Sequence, residues 1–257
     1  MKNIQPKKSL GQHFLQDSST AQAIVSGLDM SATNQVIIEI GPGIGALTDW
    51  LITTHYPLFL VEIDARLIPL LKRKYGEKAS IIEDDFLTIN LSHITKCPIS
   101  LIGSFPYNIS SQLFFAILAN KKQIDQVVCM VQEEVALRIT ARSGSKAYGL
   151  LSVLLQAFYE TSYLFQVAPE SFNPPPNVLS GVIKLTKRGS QEIGCDEEAF
   201  FKVVKAGFQQ RRKMLRNSLR ILGKSLEKAP NHLLEKRAEA LTVADFVKLT
   251  QLLFSDN

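Results

Sequence analysis

The sequence holds no apolar run approaching the roughly 20 residues that a membrane-spanning helix needs, so no membrane partner is expected. Its N-terminus, MKNIQPKKSLGQ, is basic but has no apolar core ahead of a cleavage site, so no secretory signal is expected either. Cysteine is scarce. Cys97, Cys129 and Cys195 lie far apart, with no C-x-x-C and no Cys/His cluster, which excludes a disulfide framework and a zinc-type motif. The four histidines are equally scattered, so no metal site is expected. The expectation is buried free thiols in a reducing cytoplasm. Internal repeats and low-complexity tracts are also missing.

What is present is an ordinary globular balance, 46% hydrophobic and 21% charged over 257 residues, enough for one large domain or one domain with a small appendage. The formal net charge of +5 points only weakly to nucleic acid; its placement matters more.

From residue 35 to about 186, apolar strand-like runs alternate with helical stretches. QVIIEI (35–40), PLFLVEID (57–64), ASIIEDD, PISLIGS (98–104), DQVVCMVQ (125–132) and NVLSGVIKLT (177–186) read as strands. ALTDWLITT, ARLIPLLKRKY (65–75, despite Pro69) and 110–120 read as helices. This alternation predicts an α/β fold, a parallel Rossmann-like sheet with helices on both faces. After residue 188 only helical periodicity remains, at 196–209, 211–224 and 242–254. The predicted domains are therefore 1–188, holding the sheet, and 189–257, a small helical domain.

EIGPGIGALT (39–48) joins the first strand to the first helix. Gly41, Gly43 and Gly45 let the backbone turn sharply and approach a ligand. Read as Gly41, Gly43, Ala46, the loop also fits the relaxed dinucleotide fingerprint. Glu62 follows about 20 residues on, where either cofactor presents ribose hydroxyls. Two features favour S-adenosylmethionine, which is cationic and has no phosphates. Pro42 removes an N–H that a pyrophosphate would use. EDDF (83–86) places Asp85 to accept from an adenine amine, with Phe86 or Ile63 against the ring. Glu39, Glu62 and Asp85 together make surroundings that suit a sulfonium and an ammonium.

KAGFQQRRKMLRNSLRILGK (205–224) has seven basic residues and no acid. On one helix Arg212, Arg216, Arg220 and Lys224 form a ridge, beside an inward stripe of Phe208, Leu215, Leu219 and Leu222. A ridge of like charges without compensating acids predicts an anionic partner.

Together KKSLGQHFL, EIGPGIGALT, VEID, DDFL, FPYNIS, FNPPPNVLS and FQQRRKMLRNSL, spanning residues 7–219, resemble the ribosomal RNA adenine dimethyltransferases, within the class I S-adenosylmethionine-dependent methyltransferases. The resemblance implies dimethylation of two adjacent adenosines in a hairpin loop near the 3′ end of small-subunit ribosomal RNA, and a role in maturation of the immature small ribosomal subunit. It also implies that His13, Leu15, Gly41, Gly43, Glu62, Ile63, Asp85, Phe86 and Ser104 hold the cofactor. Ser104, Pro106, Tyr107 and Phe172 are then expected around the target adenine, and Lys7, Lys8, Arg211, Arg212, Lys213, Arg216 and Arg220 on RNA, in a monomer. Two departures stand out: Ser104 where the family usually has Asn, and Asn177 and Leu179 where it usually has Lys and Asp.

On this reading the Ser104 hydroxyl and the carbonyl of Phe105 or Pro106 accept from an adenine amine, and Tyr107 stacks on the extruded base. Three other readings stay open: a DNA or protein amino-methyltransferase, although Phe105 stands where those usually have a second proline; a non-catalytic RNA-binding assembly factor; and a nicotinamide-dependent dehydrogenase, although no Tyr-x-x-x-Lys is present.

Overall fold

A computed structural model describes residues 5–189 and 192–254. It divides into two compact units, one running up to Ala136 with Ser162–Lys187, the other holding Leu137–Thr161 and the residues from Arg188 onward.

The first unit begins with a two-residue strand, β1 (Phe14–Leu15), and helix α1 (Ser18–Ser26), which Asp17 caps by accepting from the Ser19 N–H at 2.9 Å. Strand–helix alternation follows: β2 (Val36–Ile40), α2 (Thr48–Leu51), β3 (Leu58–Glu62), α3 (Ile68–Tyr75), β4 (Ser80–Glu83), α4 (Leu91–Ile94), β5 (Ile99–Ser104), α5 (Ser110–Ala119) and β6 (Ile124–Gln132). Pro69, which read as an interruption, sits in the first turn of α3, where its missing N–H costs no helical bond. Then come α6 (Glu133–Thr140), α7 (Leu150–Phe158), β7 (Tyr159–Val167), β8 (Phe172–Asn173) and β9 (Ser180–Lys187).

Seven strands form one sheet in the order β4-β3-β2-β5-β6-β9-β7. β2 through β6 pair in parallel; β9 runs antiparallel to β6, so the sheet is not parallel throughout as expected. All five residues of β2 are buried, as a central strand requires. From β2 the chain steps outward through β3 and β4, then returns to β5 on the other side. With right-handed crossovers that reversal puts helices on both faces and opens a crevice beyond the ends of β2 and β5. β1 and β8 form a separate two-stranded antiparallel pair.

The second unit is helical. α8 (Glu197–Gln209) starts at Asp196, whose carboxylate accepts from the Ala199 N–H at 2.7 Å; α9 (Leu215–Ser218), α10 (Asn231–Leu234) and α11 (Val243–Phe254) follow. This unit also takes in residues 137–161, which precede the boundary expected near 188. The reason is α7, buried along almost its whole length, which packs against α8 and α11.

The single helical ridge expected over 205–224 does not form. α8 ends at Gln209, Met214 is extended, and a 3-10 turn over Leu219–Leu222 closes at left-handed Gly223. The sequence QQRRKM contains no helix breaker, so tertiary contacts override propensity here. Arg211 turns to the Lys146 and Tyr148 carbonyls and pairs with Glu239 at 3.0 Å, and the Leu215 N–H donates to the Lys236 carbonyl at 2.8 Å.

Candidate active site

Ile40 and Gly103 face each other in the β2–β5 ladder, so Gly41 and Ser104 leave the sheet side by side. A Cβ on Gly103 would lie 2.5 Å from the Ile40 carbonyl oxygen, and glycine permits this close approach. The loop after β2 has Gly41, Gly43 and Gly45 all at positive φ, but for different purposes. A Cβ at Gly45 would lie 2.0 Å from the Tyr75 hydroxyl; at Gly41 it would meet nothing within 4 Å. Gly45 serves packing, and Gly41 keeps a concave surface open.

Carboxylates ring this loop. Glu62 ends β3 and accepts from the Gly43 N–H at 3.1 Å and the Asp64 N–H at 2.9 Å. Burial pushes its carboxyl above the ordinary range. Glu39, only 1% exposed, accepts from the Thr48 hydroxyl at 2.6 Å, and burial pushes it up to about 8. Asp85 follows β4 and accepts from the Leu87 N–H at 2.9 Å. Phe86 is buried beside it, while Ile63 is 51% exposed, an apolar wall facing open space.

The N-terminal arm closes another side. Leu15 pairs with Phe172 and Phe14 with Asn173. His13 donates from Nδ1 to the Pro174 carbonyl at 2.8 Å and stacks on Tyr107, with ring centroids 5.8 Å apart. Asp64, given no role from the sequence, anchors this arm. It meets Arg66 at 2.5 Å, Gln12 at 2.9 Å and Lys7 at 3.5 Å, and the Arg66 bond holds its carboxyl well below the ordinary range. Its only sequence signal was its place two residues after Glu62 in VEID.

Ser104 is half-buried at the end of β5, and the Phe105 N–H donates to the Met130 carbonyl at 2.9 Å. Of the two candidate carbonyls, that of Pro106 already accepts from the Ile109 N–H at 3.2 Å. The Tyr107 hydroxyl bonds the Ser180 hydroxyl at 2.5 Å.

The loop after β2, the acids Glu39, Glu62 and Asp85, the arm residues His13 to Leu15 and the start of the loop after β5 line one cavity of about 230 Å³, with Asp64 and Ser180 behind its wall. It brings together every cofactor-side and base-side residue named from the sequence: His13, Leu15, Gly41, Gly43, Glu62 and Ile63, and also Asp85, Phe86, Ser104, Pro106, Tyr107 and Phe172. Four acidic side chains, Glu39, Glu62, Asp84 and Asp85, stand in its wall, Glu39 keeping its proton at neutral pH, and no lysine or arginine does among the described residues. Such a wall fits an organic cation with hydroxyl and amine donors and opposes a pyrophosphate.

The basic residues are not gathered in this way. Lys7 is held at Asp64, and the Lys8 side chain lies outside those described. Arg211 and Arg216 meet acids, Glu239 and Glu235 at 3.0 and 2.8 Å, supplied by distant sequence. Arg212, Lys213 and Arg220 are exposed.

Comparison with known proteins agrees with this architecture. The family model for ribosomal RNA adenine dimethylase matches residues 3–254. The ribosomal RNA small subunit methyltransferase A of Bacteroides thetaiotaomicron is 47% identical over 97% of this chain and 94% of its own. That of Cytophaga hutchinsonii is 45% identical over 98% and 99%. Among solved structures, a dimethyladenosine transferase from Plasmodium falciparum shares the fold with a TM-score of 0.78, at 24% identity over 92% of this chain and 96% of its own. The 23S rRNA methyltransferase ErmE does so at 0.73, with 23% identity over 93% and 99%.

Proposed function

The chain belongs to the ribosomal RNA adenine dimethylase family, and from that premise we propose how its residues serve the reaction. It transfers methyl groups from S-adenosylmethionine to the N6 amines of two adjacent adenosines in the 3′-terminal hairpin loop of small-subunit ribosomal RNA, and acts in small-subunit biogenesis. The observation that carries the assignment is the acid-walled cavity, without lysine or arginine among the described residues, beside Ser104 at the end of β5.

When bound, S-adenosylmethionine supplies an electrophilic methyl group on a sulfonium. Glu62 would hold its ribose and Asp85 its adenine, with Ile63 and Phe86 against the ring, Gly41 and Gly43 admitting it closely, and His13 and Leu15 closing the arm side. The rest falls to positioning. An adenine amine is a poor nucleophile because its lone pair is delocalised into the ring. The Ser104 hydroxyl and the Phe105 carbonyl, with Pro106 shaping the turn, accept from its two N–H bonds and leave the lone pair directed at the methyl group. Tyr107 offers a stacking face worth roughly 1–3 kcal/mol, and Phe172 packs on the other side of the base. RNA loops present unstacked bases, which suits this pocket.

The exposed Arg212, Lys213 and Arg220 meet phosphates of the immature subunit. The protein works as a cytoplasmic monomer. Among the described residues no helix is long and apolar enough to cross a membrane.

The test is transfer of labelled methyl to undermethylated small subunits, followed by mass spectrometry of the 3′ hairpin. Two dimethylated adenosines are expected. Subunit binding without methylation, or transfer to duplex DNA instead, would overturn the assignment.

A further inference from the structure

We infer that Ser180 is a positioning residue for the target adenine, acting through Tyr107; the inference rests on the methyl-transfer reading above. Tyr107 lies on the loop after β5, where a ring has no ladder bonds to orient it. Ser180 is the first residue of β9 and fully buried. Because β9 runs antiparallel to β6, its first residue lies at the same sheet edge as the last residues of the parallel strands.

The register shows how close this brings them. Ser104 pairs with Met130, and Ser180 pairs with Gln132, two positions further along β6. The loop therefore crosses the end of β6, and the Tyr107 hydroxyl meets the Ser180 hydroxyl at 2.5 Å. The Glu133 N–H donates to the Leu179 carbonyl at 3.0 Å and pins the start of β9. A rigid strand thus fixes the far end of the ring, while His13 stacks along it and is itself held by the Pro174 carbonyl. Burial pushes the Tyr107 phenol above its ordinary range, so both hydroxyls are neutral and either can donate in this bond. Loss of the bond leaves the stacking ring in place but free to tilt, and misplacement of a base costs rate more than affinity.

The test compares wild type, Ser180→Ala, Tyr107→Phe and the double variant on undermethylated small subunits under single-turnover conditions. Each single variant is expected to lose about tenfold in the rate of methyl transfer at saturating RNA. S-adenosylmethionine affinity by titration calorimetry should stay at the wild-type value, and the melting temperature should fall by only about 2–5 °C, as the loss of one buried hydrogen bond requires. The double variant should be no slower than either single one, since both remove the same bond. Wild-type speed in Ser180→Ala overturns the inference, as do losses that multiply in the double variant. A Ser180→Ala protein that melts more than about 10 °C early or binds S-adenosylmethionine poorly shows a structural role and also overturns it. If wild type transfers no methyl group, the underlying activity assignment itself fails.

Discussion

Glu39 sets up a proton balance at the base of the cavity. Its carboxyl titrates at about 8 when folded and near 4.5 when unfolded. Between those values the folded protein holds a proton that the unfolded chain has released, so stability falls as pH rises across this window. Glu39→Gln keeps an acceptor for Thr48 and removes the titration. Its melting temperature is expected to match wild type near pH 5 and to exceed it progressively towards pH 8.5; parallel curves by calorimetry would refute this. Ser104 is the other residue to isolate. Ser104→Ala should slow single-turnover methyl transfer by roughly five- to thirtyfold, the worth of about one to two kcal/mol of lost acceptor, and an unchanged rate would exclude the hydroxyl. The place of Glu62 and Asp85 in the cavity wall was legible because each stands where an apolar strand pattern stops. Asp64 and Ser180 were not, because their partners Gln12 and Tyr107 lie 52 and 73 residues away in sequence.

At the scale of elements, the loop after β2 separates folding from binding within five residues. Gly41→Ala adds strain of about 1–2 kcal/mol from its left-handed backbone but touches nothing. It is expected to fold and to lose S-adenosylmethionine affinity, since the new methyl group projects into the cavity. Gly45→Ala meets Tyr75 at 2.0 Å and is expected to lose about 4 kcal/mol or more of stability. Urea unfolding alongside ligand titration distinguishes the two. The parallel strands whose ends line the site were readable from apolar runs; the short pair β1 and β8, which also lines it, was not, because two residues carry no periodicity. The break after α8 was not, because Arg211 and Leu215 find their partners in residues 146–148 and 236–239, and no local pattern announces them.

For the whole molecule, the net charge of +5 is less informative than its partition. The cavity wall is acidic, and cations such as Arg211 and Arg216 are taken up by acids within the helical unit. Replacing Arg212 and Lys213 together by alanine is expected to reduce the salt dependence of RNA binding by a slope of about 2, with the melting temperature unchanged. Replacing Arg211 should lower the melting temperature as well. The pairing of β1 with β8 also sets an order of assembly. It consists of two residue pairs, and the His13–Pro174 bond beside it closes a separation of 161 residues. Closing so long a loop for so short a ladder repays little until the large sheet already holds both ends in place. The arm therefore docks last on folding and frays first, and amide exchange at Phe14 and Leu15 should report openings far cheaper than global unfolding. The wall that completes the cavity is thus the part of the unit that can let go while the sheet beneath stays whole.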